Sequence, residues 1–99
     1  MRLTIEQKNA IRDAVIEVFG NGAKVRLFGS RLDDTARGGD IDLLVEFPVP
    51  VENAGMLAAR VAAKIQMRIG EQKIDVLYFW PGMQETPVYR TALSEGVPL

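Results

Sequence analysis

Neither cysteine nor histidine occurs anywhere in the 99 residues. The first absence removes any disulfide framework and any thiol nucleophile. The second removes the histidine general base, and the two together remove Cys/His zinc centres. A metal site in this chain must be built from oxygen ligands, a donor set that favours Mg²⁺, Mn²⁺ or Ca²⁺. No apolar run is long enough to span a membrane. The start of the chain lacks the basic stretch and apolar core of a signal peptide, so the expected location is cytoplasmic. An excess of one charge is missing too: 12 Lys+Arg against 13 Asp+Glu leave a formal net charge of −1. That gives no general pull toward nucleic acid or anionic membrane, and neither is expected as a partner.

What is present is an ordinary globular mixture, 47% hydrophobic and 25% charged. The length predicts a single domain over 1–99, burying somewhat under ~70% of the surface its unfolded chain exposes. Thr4 and Gln7, three residues apart, form a capping-box pattern. Ile11, Ala14, Val15, Val18 and Phe19 follow at helical spacing, and Gly20-Asn21-Gly22 supplies the stop. Lys24 to Phe28 is short, alternating and β-prone, and ends at Gly29-Ser30. The polar connection "RLDDTARGG" has room for one helical turn from Arg31 to Thr35. A second strand, "DIDLLVEF", is closed by Pro48 and Pro50. Residues 51–70 predict a long helix with Ala54, Leu57, Ala58, Val61, Ala62, Ile65 and Ile69 in one apolar stripe. Arg60, Lys64 and Arg68 line another face, which reads as solvated, with a partner surface as the alternative. A third strand, "QKIDVLYFW", stops at Pro81-Gly82, and residues 87–95 form a short last helix before Gly96. The expected fold is α+β: a small mixed sheet with helices packed on one face and the other face open, at least in part.

Asp40 and Asp42 are the residues this pattern does not explain. They flank Ile41 at the start of a strand that is otherwise apolar, and burying a carboxylate without a partner is costly. Strand alternation puts both on one face, with α-carbons about 6.5 Å apart, while Ile41, Leu43 and Val45 face the helices. Asp75, between Ile74 and Val76, belongs on the same open face, although it reads equally well as a plain solvent-facing residue. Three carboxylates converging there repel one another and hold their protons more tightly, unless a cation joins them. One or two Mg²⁺ ions give the arrangement a purpose. Two ions about 3.5–4 Å apart can clamp the attacking and leaving oxygens of a phosphoryl transfer, a reaction that needs positioning and charge neutralisation but no histidine. Gly29-Ser30 suits the same chemistry, since a glycine at a strand end lets backbone N–H groups approach a phosphate and the Ser30 hydroxyl can donate to one. Arg31 or Arg37 could neutralise more of the phosphate charge.

In this order, Gly29-Ser30, Asp40-Ile41-Asp42 and then Asp75 resemble the signature of the nucleotidyltransferases of the DNA polymerase β superfamily, above all the minimal nucleotidyltransferases, or MNT proteins. "FGSR" and "GGDIDLLV" read closely like that family, and the likeness runs from the first helix to "YRTALSEG". Nine residues separate Ser30 from Asp40, one fewer than the family's usual ten, in a connection where length changes are tolerated. The resemblance implies a polymerase β-like fold and the movement of a nucleoside monophosphate from a triphosphate to an acceptor. It implies Asp40, Asp42 and Asp75 as metal ligands and catalytic carboxylates, and Gly29, Ser30 and Arg31 at the nucleotide. It implies ATP as substrate, with two Mg²⁺ ions. By the same resemblance the chain is similar to antitoxins that attach AMP to a tyrosine of a HEPN-type RNase toxin. Two other expectations stand beside this: an antitoxin that acts by contact alone, and a nucleotidyltransferase for a small molecule such as an aminoglycoside. Asp75 is placed to activate an acceptor hydroxyl, and the Arg60, Lys64, Arg68 stripe and the last helix near Tyr89 are candidate docking surfaces. Tyr78, Phe79 and Trp80 read as core and rim.

Overall fold

A computed structural model of the chain describes residues 3–32 and 39–99, the side chain of Ser30 excepted. It opens with α1, Ile5–Phe19. The capping box is made in both directions: Gln7 N donates to Thr4 Oγ1 and Thr4 N to Gln7 Oε1, each at 3.0 Å. Then come β1 (Lys24–Phe28), a 3-10 turn over Gly29–Leu32, β2 (Ile41–Glu46), α2 (Ala54–Ile69), β3 (Ile74–Phe79), α3 (Pro87–Glu95) and β4 (Val97–Pro98). The sheet order is β3-β2-β1-β4. β1 runs antiparallel to both its neighbours, and β2 pairs in parallel with β3 through the α2 crossover.

The main core lies under α1 and α2. Ile41, Leu43 and Val45 pack there with Val25 and Leu27 against Ile11, Val15, Val61 and Ile65, the face that alternation assigned to the helices. Each such side chain, fully buried, contributes about 1.5–3 kcal/mol. Phe19 meets Phe47 edge-on at 4.7 Å between ring centroids and closes the far end of this layer.

The opposite face is more covered than an open sheet. Leu44 and Phe28 are buried there against Ala92 of α3, with Leu77, Phe79, Tyr89 and Leu93 around them. The expectation of helices on one face holds for α1 and α2 and not for α3, whose nine residues carry too few apolar positions to announce on which side it docks. Arg26 ties it down. Its Nε donates to Glu46 Oε1 at 3.0 Å, and its Nη1 reaches the carbonyls of Leu93 and Gly96 at 3.4 and 3.5 Å. The Tyr89 ring stacks edge-on against Phe79, 5.6 Å between centroids, and burial raises its phenol above the usual range. Tyr89 is therefore a packing residue of α3.

Three other details depart from the sequence expectation. α2 begins at Ala54, not at residue 51: Asn53 holds the N-cap position with its backbone in the left-handed region at φ 58°, outside the helix. β4 was unforeseen, since two residues containing a proline carry no periodicity. Arg68 is not a free member of a basic stripe, because its Nη2 holds Glu17 of α1 through both carboxylate oxygens, at 2.7 and 2.5 Å. That pair pulls the Glu17 carboxyl below its ordinary value, with Lys64 helping at longer range. Among the described residues no helix is long and apolar enough to cross a membrane.

Candidate active site

The last pairing of β1 sets Phe28 opposite Asp42, and the parallel ladder sets Asp42 opposite Asp75. Paired residues project on one side of a sheet, so Asp42 and Asp75 share a face on adjacent strands, whose backbones lie about 4.8 Å apart. They lie on the α3 face, beyond α3, where β2 and β3 begin and β1 ends. Asp42 is half-buried within a strand whose residues 41 and 43–45 are fully buried, and Asp75 is exposed. Asp42 holds its proton above the ordinary carboxylate range. Burial is the largest cause, followed by the charges of Asp75 and Asp40 and a hydrogen bond with Asp75, and Lys73 partly offsets them.

Gly29 follows Phe28 at φ +80°, a conformation that L side chains rarely adopt. A β-carbon there would stand 3.3 Å from Asp42 Cγ and 3.5 Å from its Cβ, and would collide with Oδ2. The glycine is thus required first by Asp42. Its missing side chain is what lets the turn close over the carboxylate. The described part of the turn it opens runs over Gly29–Leu32, and the rest of the expected Arg31–Thr35 turn lies outside the described residues.

Asp40 comes immediately before β2. Its backbone is fixed on both sides: the Gly39 carbonyl accepts from Arg31 Nε and from Gln72 Nε2, each at 3.3 Å, and Ile41 N donates to Lys73 O at 3.0 Å. Gln66 of α2 in turn donates to the Gln72 carbonyl at 2.8 Å, which positions the entry into β3. The Asp40 side chain turns to Lys73, with Oδ2 3.5 Å from Nζ.

The structure therefore brings Gly29, Asp42 and Asp75 together, with Asp40 and Arg31 beside them. Among the described residues no three acidic side chains are grouped so as to hold a metal ion as they lie. Arg37, the spacer residues 33–38 and the Ser30 hydroxyl lie outside the described parts. Lys73 and Gln72 were missed in the sequence. The signal was present: Lys73-Ile74-Asp75 repeats the alternation of Asp40-Ile41-Asp42, so a lysine precedes the third carboxylate at the same offset. A cleft of about 390 Å³ is lined by Lys24, Glu46, Phe47, Phe79, Trp80 and Leu93 at the other end of the strands, away from the carboxylates.

A family model described as "Nucleotidyltransferase domain" matches residues 8–98. The chain belongs to the nucleotidyltransferase domain family. The match runs from α1 into β4 and includes Gly29 and all three carboxylates. Its activity class is accordingly nucleotidyl transfer, and domains of this family generally use a nucleoside triphosphate and a divalent metal. No curated protein matches the chain.

Proposed function

We propose that the 1–99 chain is a single-domain, Mg²⁺-dependent protein adenylyltransferase that moves AMP from ATP to a tyrosine hydroxyl of a HEPN-type toxin, and so acts in the cytoplasm as its antitoxin. The observation that carries the reading is the register of Asp42 with Asp75, closed over by Gly29, at an end of the sheet that α3 leaves exposed.

The donor set supports a divalent cation. It contains only carboxylate oxygens, and burial together with the like charges of Asp75 and Asp40 already raises Asp42. Asp40, Asp42 and Asp75 would hold two Mg²⁺ ions, which when bound supply charge neutralisation for the triphosphate and the leaving group. The Gly29-Ser30 backbone N–H groups and the planar Arg31 guanidinium donate to the phosphate oxygens. In the reaction the acceptor oxygen attacks the α-phosphorus of ATP. A new P–O bond forms, the bond to the bridging oxygen breaks, and pyrophosphate leaves with the electron pair. The hydroxyl proton passes to a carboxylate, for which exposed Asp75 is best placed.

A protein acceptor fits the surface. Small molecules are generally held in concave pockets, whereas Asp75 stands exposed on the edge strand β3. A tyrosine on a flexible loop has the reach for such a site. The deciding test is mass spectrometry of the partner after incubation with ATP, Mg²⁺ and this protein. The expected result is a gain of AMP on tyrosine that Asp42→Asn abolishes. A partner inhibited but unmodified refutes catalysis and leaves an antitoxin acting by contact.

A further inference from the structure

We propose that the Lys73 ammonium is the resident counter-cation of the carboxylate cluster: it neutralises Asp40 while no divalent cation is bound and gives that carboxylate up when one arrives. The inference rests on the reading of Asp40, Asp42 and Asp75 as a metal site.

The backbone sets the two residues side by side. Ile41 pairs with Ile74 and Ile41 N donates to Lys73 O at 3.0 Å, so Asp40 and Lys73 are the residues just outside the first rung of the parallel ladder. The Gly39 carbonyl, held by Arg31 and Gln72, fixes the main chain next to Asp40. What can move is the side chain. It turns to Lys73 Nζ, 3.5 Å away, and Lys73 is the cation that works against the cluster's own repulsion at Asp42.

The pair is also the right strength for the task. The two side chains are 69% and 44% exposed. An ion pair in that much water is worth little, so a doubly charged ion bonding directly to the carboxylate can displace the ammonium. A buried pair would resist displacement, since it would strand a charge in a low dielectric. Lys73 is thus a positioning residue acting through Asp40.

The test is Mn²⁺ binding without nucleotide, followed by electron paramagnetic resonance, in the parent, Lys73→Met, Asp40→Asn and the double variant. Lys73→Met tightens Mn²⁺ binding about two- to five-fold, the size of an exposed ion pair, and Lys73→Gln repeats the effect. In the Asp40→Asn background the gain disappears. Structural damage at Lys73 would weaken binding, so the direction itself separates the two roles. Unchanged or weaker Mn²⁺ binding in both lysine variants overturns the inference. So does a gain of equal size in the Asp40→Asn background, which would mark a general charge effect. A parent protein that binds no Mn²⁺ overturns the metal-site reading, and this inference with it. Parent binding that neither lysine variant alters removes the role of Lys73 alone.

Discussion

Replacing Gly29 with alanine tests how the turn and the carboxylate are coupled. The substitution meets two separate obstacles. The backbone sits at φ +80°, where an L side chain costs about 1–2 kcal/mol. The new methyl also collides with Asp42 Oδ2 and crowds Cγ at 3.3 Å. Asp42 is only half-buried, so the cheaper relief is to swing its carboxylate out of its rotamer, at about 0.5–1.5 kcal/mol. Gly29→Ala should therefore lose about 1.5–3.5 kcal/mol, and each kcal/mol should lower the Tm by about 4–8 °C in a domain of this size.

The two parts separate in a double-mutant cycle. Asp42→Ala removes the carboxylate and leaves the φ requirement untouched. In that background Gly29→Ala should cost only the backbone share, about 1–2 kcal/mol. Urea unfolding followed by the fluorescence of Trp80, the single tryptophan, gives all four stabilities. Trp80 stacks on Tyr78 at 5.5 Å between centroids, so its signal reports the folded sheet. An equal cost in both backgrounds would refute the close approach of turn and carboxylate. A neutral Gly29→Ala would refute the backbone conformation as well.

Asp42→Asn should stabilise the metal-free protein at neutral pH by about 0.2–1 kcal/mol, the usual size of a like-charge pair across strands. The folded state holds the Asp42 proton to higher pH than the unfolded chain does. Folded protein thus binds the extra proton, stability falls as pH rises between the two values, and the advantage of the variant should vanish in acid. Urea titrations at several pH values check this, and a variant that gains most at low pH would contradict it. Glu17 runs the other way: its contribution is present above the ordinary carboxylate value and fades as pH falls through the lowered one. Glu17→Gln should erase that part of the acid limb, and salt should weaken the effect in the parent. Arg26→Met should cost about 1–3 kcal/mol by leaving half-buried Glu46 and the Leu93 carbonyl without their donor. A thermal scan should show Arg26→Lys recovering little of the loss, because an ammonium cannot reproduce the spread of guanidinium donors.

Much of this architecture was legible because it rests on local rules. The Thr4–Gln7 box, the α1 stripe, β1 at Lys24–Phe28 and α3 at Pro87–Glu95 follow from caps, alternation and punctuation. The face assignment of Ile41, Leu43 and Val45 follows from alternation alone. What was not legible depends on contacts between distant residues. Arg26 reaches α3 across 67 and 70 positions, and Glu17 meets Arg68 across 51. No short-range pattern encodes either pair. In the site, the Asp42–Asp75 side could be read from strand alternation, but their rung-by-rung pairing could not. The Lys73–Asp40 contact arises from that same pairing, which is why a lysine in plain sight drew no notice.

The same register that assembles the carboxylates also protects the fold against slipping. Ile41, Leu43 and Val45 are fully buried toward α1 and α2. Leu44 is fully buried on the other side, so the β2 centre is apolar on both faces and would by itself tolerate a shift. Asp42 does not tolerate one. A one-residue slip would turn its carboxylate into the layer beneath α1 and α2, where no described cation waits, and an unpaired buried charge costs far more than the shift could regain. Gly29 adds a second check, since a β-carbon at that position would clash with Asp42. The charge that looked out of place in an apolar strand therefore fixes which rung faces Phe28 and Asp75. Its position is constrained by folding before any ligand arrives.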